Sequence, residues 1–192
     1  MLRRLYDGTM RLAGHPRAVW ILAAVAFAES VVFPVPVDVL LIPMVLAAPG
    51  RAWRYAAVCT CASVAGGVAG YGAGAFLFDA VGAPLLAFYS YGEAFAEAQA
   101  LYNAHGSLIV FTAAFSPIPY KVFTIASGFA GTDLGIFILA SAAGRGLRFF
   151  IVAALLWRFG APLRTFIERR LAPLTLAFAV LLVAGFVVLR VL

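Results

Sequence analysis

The chain has 192 residues, of which 65% are hydrophobic and 11% are charged, and its mean hydropathy is +1.03. A soluble domain of this size does not need so much apolar surface, so the composition predicts an integral membrane protein built as one helical bundle. The formal net charge of +6 comes from arginines that mostly flank apolar segments. That placement is typical of residues that set membrane topology, and it excludes the basic patch of a nucleic-acid-binding protein.

The first apolar element, residues 18–50, is interrupted at its centre. Pro34 and Pro36 break the helix there. Glu29 and Asp38 place a carboxylate on each side of the break. Neither apolar arm has the roughly 20 helical residues needed to cross the hydrocarbon. We therefore expect a re-entrant hairpin, because broken backbone at membrane depth is tolerated only within protein or beside a water-filled cavity.

A charge-free stretch, residues 55–78, is the first predicted spanning helix. Gly66, Gly70 and Gly74 repeat along it at four-residue spacing and form a ridge of small residues. Such a ridge lets another helix backbone approach closely. The approaching helix can belong to the same chain or to a second copy in a homo-oligomer.

The next part of the chain repeats the interrupted pattern with the opposite charge. Residues 79–106 come first, with three acids, no basic residue and a pattern that predicts a short extracytoplasmic amphipathic helix on the membrane surface. Residues 107–131 then form a second apolar element, which Pro117 and Pro119 interrupt. Lys121, the single lysine of the chain, follows that break. We expect a second re-entrant hairpin.

Two further spanning helices are predicted, at residues 133–157 and 171–190. The first of them carries Arg145 and Arg148 near its centre. Because these arginines are three residues apart, they share one helix face. A basic loop, residues 158–170, joins the two spans.

The arginine distribution predicts the orientation. If both interrupted elements are hairpins, the N-terminal segment 1–17, residues 51–54 and the basic loop fall on one side with ten arginines. The opposite loop has none, so the positive-inside rule places the N-terminus in the cytoplasm and the C-terminus outside. The hairpins then enter from opposite faces, as in an inverted repeat with a site near the midplane. The predicted fold is an all-α integral membrane protein with two opposed re-entrant hairpins, about three full transmembrane helices and amphipathic surface helices.

Five charges are predicted at membrane depth: Glu29, Asp38, Lys121, Arg145 and Arg148. Intramembrane charges are costly, so each is expected to face the protein interior or water and to find a partner. The three bases would bind an anionic phosphate headgroup, for which arginine offers bidentate contact. The two acids would take up and release protons or another coupling cation. Alternatively, the same five residues form salt bridges that only hold the hairpins together.

No enzymatic site is predicted from the residue pattern. His15 and His105 lie in terminal or surface segments, so no Ser-His-Asp grouping is indicated. Cys59 and Cys61 point to different faces of one helix and are interpreted as small packing residues. No metal-ligand cluster or phosphate loop is evident either. We therefore expect a protein that is not an enzyme and needs no metal or cofactor.

The paired Pro-x-Pro motifs resemble those of the DedA family, also called SNARE-associated or VTT-domain proteins. The residues that carry the resemblance are Glu29, the segment Phe33–Asp38, the segment Phe115–Thr124 and Gly128. The Pro-Tyr-Lys form of the second motif looks like the YqaA-like branch. The resemblance covers roughly residues 20–160, which is most of the chain.

This resemblance implies both a fold and an activity. The implied fold has two opposed re-entrant hairpins. Bacterial members are associated with recycling undecaprenyl phosphate or moving phospholipids across the inner membrane, with dependence on the proton motive force, and eukaryotic relatives are scramblases. By the same resemblance Glu29 and Asp38 look like the acidic pair of the family, and Lys121 takes a place where other branches often have arginine. Arg145 or Arg148 corresponds to a further family arginine.

The expected function is therefore that of a bacterial inner-membrane flippase or scramblase. Its substrate would be a polyprenyl phosphate or an anionic phospholipid, and movement would be coupled to the proton motive force. Two alternatives use the same charges. One is a small-solute transporter coupled to protons or another cation, and the other is a non-transporting scaffold that supports envelope integrity.

Overall fold

The computed structural model describes residues 17–31, 36–89, 92–116 and 119–160. Within these ranges the chain is helical apart from short turns and contains no strand, which confirms the predicted all-α class. Several predicted features lie outside the described residues, namely the segment 1–16, Pro34, Pro117, residues 161–170 and the span at 171–190.

Eight α-helices are formed within the described ranges. They are α1 Ala18–Val31, α2 Asp38–Ala47, α3 Ala52–Leu77, α4 Ala83–Tyr89, α5 Gly92–Ala104, α6 Gly106–Phe115, α7 Tyr120–Phe129 and α8 Leu134–Gly160. A 3-10 turn at Pro49–Arg51 precedes α3, and a π-helical turn at Phe78–Gly82 follows it. The polar segment 79–106 therefore holds two helices, α4 and α5, where the sequence pattern predicted one.

Two helical stretches are long and apolar enough to cross a membrane. Pro49–Gly82 has 34 residues with a hydropathy of 1.4, and Leu134–Gly160 has 27 residues with a hydropathy of 1.7. Only 28% and 33% of their apolar windows are buried within the protein. Outward-facing side chains such as Phe76 and Leu139 are 73% and 72% exposed. Apolar surface on this scale is stable against lipid rather than water, so these helices indicate a membrane protein.

The two long helices are antiparallel. Near the beginning of α3, Trp53 packs against Trp157 of α8, with 6.0 Å between ring centroids. Near the end of α3, Tyr71 packs against Phe137 at 5.3 Å. Contacts therefore run from the start of one helix to the end of the other, and Ser63 and Arg145 meet near the middle.

Four other apolar helices are short. Helix α1 has 14 residues, and α2, α6 and α7 have 10 residues each. At 1.5 Å per residue they extend about 15–21 Å, well below the roughly 30 Å of the hydrocarbon. Pro36 precedes α2 by two residues and Pro119 precedes α7 directly, positions at which proline is compatible with the start of a helix.

The glycine ridge of α3 packs against two of these short helices. Gly66 lies against the backbone of α1 at Phe27, and Gly74 lies against the backbone of α7 at Ile125. Gly70 lies between them and approaches both α1 and α7. The space beside each glycine is thus occupied by a helix of the same chain. Only a residue without a Cβ leaves room for such close backbone contact.

The first interruption lies near the middle of the long helices. Ser30, one residue before the end of α1, contacts Ser63 of α3. Asp38, the first residue of α2, contacts Arg148 of α8. The end of α1 and the beginning of α2 therefore both lie beside the centre of the bundle.

The second interruption lies at the same level. Tyr120, the first residue of α7, donates a hydrogen bond to Ser141 of α8. Gly144 of α8 lies against Phe111 and Ala114 in the last turn of α6. The ends of four short helices thus meet around one section of α8.

Polar side chains of α5 hold the turn between α7 and α8. Gln99 and Asn103 donate amide hydrogen bonds to the Ala130 carbonyl at 2.7 and 3.1 Å. Thr132 donates to the Asn103 side chain at 2.7 Å. Gly131 adopts a φ of +61°, which favours glycine at this turn. These polar side chains of α5 therefore form hydrogen bonds with the residues that follow the end of α7.

Tyr102 makes a further connection between α5 and α7. Its hydroxyl lies 3.1 Å from that of Ser127. Burial raises the pKa of Tyr102 above its ordinary value, while the Ser127 hydrogen bond partly opposes the shift. The phenol consequently remains protonated, and able to donate, throughout the neutral range.

We expect the close packing of α3 against α7 to be sensitive to a single methyl group. Gly74→Ala places a Cβ against the Ile125 carbonyl, and overpacking of this kind costs about 1–3 kcal/mol. Gly72→Ala is the matched control, because that position has no neighbouring atom within 4 Å. Thermal unfolding of the detergent-solubilised protein measures the difference. Equal melting temperatures for the two variants would contradict the packing described.

Candidate functional site

Two acid–arginine pairs lie where the short helices meet. Arg145 donates from Nη2 to Glu29 Oε2 at 3.0 Å, and Arg148 donates from Nη2 to Asp38 Oδ2 at 2.5 Å. The arginines occupy one face of α8, and the acids lie on opposite sides of the first interruption. The structure thus brings four of the five predicted charges together as two ion pairs, one for each arm of that interruption.

Arg145 is the most enclosed charge of the site. Its side chain is 1% exposed, and its Nε donates to Ser63 Oγ of α3 at 2.6 Å. The rings of Tyr120 and Phe149 lie over the guanidinium, with their centroids 5.1 and 4.8 Å from Cζ. Aromatic faces attract a desolvated cation, so both rings add to the two hydrogen bonds.

A chain of hydroxyl groups extends the contact of Arg145 into α1. Ser63 Oγ lies 2.7 Å from Ser30 Oγ, and Ser30 donates to the Ala26 carbonyl at 3.0 Å. Because each hydroxyl has a single hydrogen, Ser63 must be the donor to Ser30. The Ser63 oxygen is then oriented to accept from Arg145 Nε. The two serine hydroxyls and the Arg145 guanidinium are all buried.

Glu29 would be poorly placed without its two hydrogen-bond donors, Arg145 and the Val37 amide. It lies in the last turn of α1, where the helix dipole disfavours a negative charge. Arg145 compensates this charge, and the Val37 amide, at 3.4 Å from Oε2, donates a second contact. Because Val37 immediately precedes α2, the Glu29 carboxylate also connects the two arms of the first interruption.

The second ion pair is more open than the first. The side chains of Arg148 and Asp38 are 21% and 23% exposed. Asp38 lies in the first turn of α2, where the helix dipole favours its charge. Only Oδ2 contacts the arginine, and Oδ1 is buried without a hydrogen-bond partner among the described residues. Such an unsatisfied oxygen is costly, so this pair holds unused hydrogen-bonding capacity.

The second interruption reaches the site through Tyr120. Its hydroxyl donates to Ser141 Oγ at 2.7 Å while its ring covers Arg145. Lys121 follows in the first turn of α7, and its carbonyl accepts a hydrogen bond from Thr124. Both acids of the first interruption form ion pairs with the α8 arginines.

Several residues of the site were not identified from the sequence. They are Ser30, Ser63, Tyr120, Ser141 and Phe149. Ser30 directly follows Glu29, and Ser63 lies one turn before the glycine ridge, so a small polar residue beside each motif was the available signal. Phe149 lies four residues after Arg145, so the shared helix face was the available signal for it.

A separate cleft of about 600 Å³ lies between α4 and α5 and is lined by Phe78, Phe95 and Gln99 among others. Its acidic residue is Glu93, and none of the residues of the ion pairs lines it. The cleft therefore does not extend the charged site.

Comparison with known proteins gives two close relatives. The chain matches no family model and no solved structure. It is 39% identical over 168 residues to an uncharacterized protein of Haemophilus influenzae, an alignment that covers 85% of this chain and 87% of the relative. An uncharacterized protein of Histophilus somni is 36% identical over 168 residues, with the same coverage of both chains. The chain belongs to the family of these two proteins.

We expect the Glu29–Arg145 pair to contribute to stability as a unit. Arg145→Gln leaves Glu29 without its cation, and breaking a buried pair in this way costs about 3–5 kcal/mol. The Glu29→Gln/Arg145→Gln double variant should be less destabilised than the sum of the two single variants. Denaturant unfolding in detergent measures this coupling.

Arg158→Gln is the control for charge loss, because that arginine is exposed near the end of α8. It should unfold like the wild type. Additive effects of the two single substitutions would show that Glu29 and Arg145 do not stabilise each other.

Proposed function

We propose that this protein moves a lipid with an anionic phosphate headgroup across the bacterial inner membrane. The observation that carries the proposal is the pair of acid–arginine contacts at the level where four short helices end. Intramembrane ionisable residues are rare and mark pathways for ions or polar substrates. Apolar packing would join the helices without the desolvation cost of two ion pairs, so a purely structural role explains the charges less well.

The proposed architecture is an inverted repeat of two re-entrant hairpins, α1–α2 and α6–α7. Helices α1 and α7 both run parallel to α3. Helix α1 ends near the middle of α3, and α7 begins there. This is the arrangement expected if the hairpins enter from opposite membrane faces. In transporters built in this way, substrate and coupling ions bind where the repeats meet. The arginine distribution supports an N-terminus in the cytoplasm and a C-terminus outside.

Phosphate is the chemical group that the proposed site suits best. A guanidinium donates two parallel hydrogen bonds to phosphate oxygens, and Arg148 is accessible enough to do so. Lys121 adds a basic residue in the first turn of α7. Helix N-termini also favour anions, so the beginning of this helix supports the same ligand.

The two acids make proton coupling the proposed driving process. Each carboxylate forms an ion pair with one arginine, so protonation of the acid would release that arginine for a ligand. The resemblance of the Pro-x-Pro motifs to the DedA family supports the same conclusion, since proton-dependent lipid movement is what that family implies. A polyprenyl phosphate and an anionic phospholipid both carry the required group.

Lipid movement is measured directly in proteoliposomes with fluorescent phosphatidylglycerol, using an impermeant reductant to bleach the outer leaflet. We expect the wild type to accelerate exchange between leaflets and a pH gradient to change its rate. Lys121→Gln/Arg148→Gln should fall to the protein-free rate, because both accessible bases are lost. Arg158→Gln removes one charge outside the site and should retain the wild-type rate.

The alternatives give different results in the same vesicles. Flux of a small anion without lipid movement would identify a solute transporter. If neither lipid nor solute moves while the protein remains folded, the proposed transport function is wrong and a scaffold role takes its place.

A further inference from the structure

The two arginines of the site differ in what they are free to bind. Arg145 is 1% exposed, donates to both Glu29 and Ser63, and has an aromatic ring near the guanidinium from each of two helices. A ligand would have to displace several of these contacts at once. Arg148 is 21% exposed, its polar contact is with one carboxylate oxygen of Asp38, and the Phe149 ring centroid is 6.0 Å from its Cζ. A single exchange would therefore make Arg148 available.

Asp38 has an unused position for a proton. Its Oδ1 is buried and has no partner among the described residues, while Oδ2 holds Arg148. A proton on Oδ1 would neutralise the carboxylate and weaken its hold on the guanidinium. Asp38 thus has one oxygen that can take a proton and a second oxygen that holds Arg148.

From these contacts we propose that Arg148 is the arginine that binds the substrate phosphate, and that Asp38 is its exchange partner. This inference rests on the proposed lipid transport. The phosphate takes the guanidinium N–H that Asp38 Oδ2 accepts in the free site, and Asp38 takes up one proton. Arg148 keeps its charge, no covalent bond to carbon or phosphorus changes, and Arg145 remains paired with Glu29.

Charge balance explains why one proton accompanies one phosphodiester. In the free site the charges of Asp38 and Arg148 cancel. With a singly charged phosphodiester on Arg148, they cancel again only if Asp38 is neutral. Binding without the proton would leave this pair and its ligand with a net negative charge, which is unfavourable at membrane depth.

Other ionisable groups face the same place. Arg145 and Glu29 lie on α8 and α1, and the buried thiol of Cys59 on α3 lies near both acids and Arg145. Lys121 is the basic residue at the beginning of α7. Because Glu29 and Arg145 are paired with each other, Asp38 is the carboxylate whose protonation exposes an accessible arginine.

The test measures binding of short-chain phosphatidylglycerol to the purified full-length protein at several pH values. Its phosphodiester keeps one negative charge across the neutral range, so the pH dependence reports on the protein. For one proton taken up per lipid, we expect the affinity to rise as pH falls, by up to about tenfold per pH unit. Arg148→Gln should weaken binding by about tenfold or more, the loss expected for a charge-assisted hydrogen bond.

Asp38→Asn separates exchange from a structural role. Asparagine cannot compete as an anion for Arg148, so this variant should bind the lipid more tightly than the wild type and lose the pH dependence. Arg148→Lys should restore part of the affinity lost in Arg148→Gln. Arg158→Gln should behave as the wild type. Equal affinity in Arg148→Gln and the wild type, or an unchanged pH slope in Asp38→Asn, would overturn the exchange.

Binding of farnesyl phosphate, measured in parallel, distinguishes the two lipids that could supply the phosphate group. Arg148-dependent binding of the farnesyl ligand alone identifies a polyprenyl monophosphate as substrate, whereas Arg148-dependent binding of phosphatidylglycerol identifies a phospholipid. If the wild type binds neither lipid and moves neither across vesicles, the proposed transport function itself fails. If the wild type moves lipid but its binding is independent of Arg148 and Asp38, only the exchange is wrong.

Discussion

A guanidinium buried between two long apolar helices is the constraint on which the rest of the centre depends. Arg145 cannot remain charged there without partners, since removing an ion from water costs several kcal/mol even after relaxation. Glu29 comes from α1, Ser63 from α3 and the Tyr120 ring from α7. One cation therefore connects both interrupted elements to the long helices, and none of these helices can move away without leaving a buried charge less well compensated.

The pairing of Arg148 with Asp38 follows different physics. Both side chains keep about a fifth of their surface exposed, and one carboxylate oxygen is unsatisfied. A site with one closed pair and one open pair can hold its architecture fixed while one cation exchanges partners. That combination suits the proposed lipid transport, in which the helices stay together while the substrate headgroup replaces a protein ligand.

Much of the fold could be predicted from local patterns, and much of the site could not. Proline interruptions, the charge-free stretch of α3 and the Gly66-Gly70-Gly74 spacing are local signals, and they give helix bounds close to those observed. The partner of each acid is not local: Glu29 and Arg145 are 116 residues apart. Which base reaches which acid depends on how α8 rotates against α1 and α2, so local patterns could not show that α8 supplies an arginine to each acid. The cover of Arg145 by Phe149, by contrast, is a local contact between residues four apart on α8.

We propose that a lipid phosphate reaches the ion-paired centre, and locating the headgroup tests this most directly. A phosphatidylglycerol analogue with a photoreactive group on its headgroup can be crosslinked in proteoliposomes and its attachment sites mapped by mass spectrometry. We expect crosslinks within residues 29–38 and 141–149, and loss of both sets on competition by unlabelled lipid. Crosslinks confined to outward-facing residues such as Trp20 and Leu139 would contradict it.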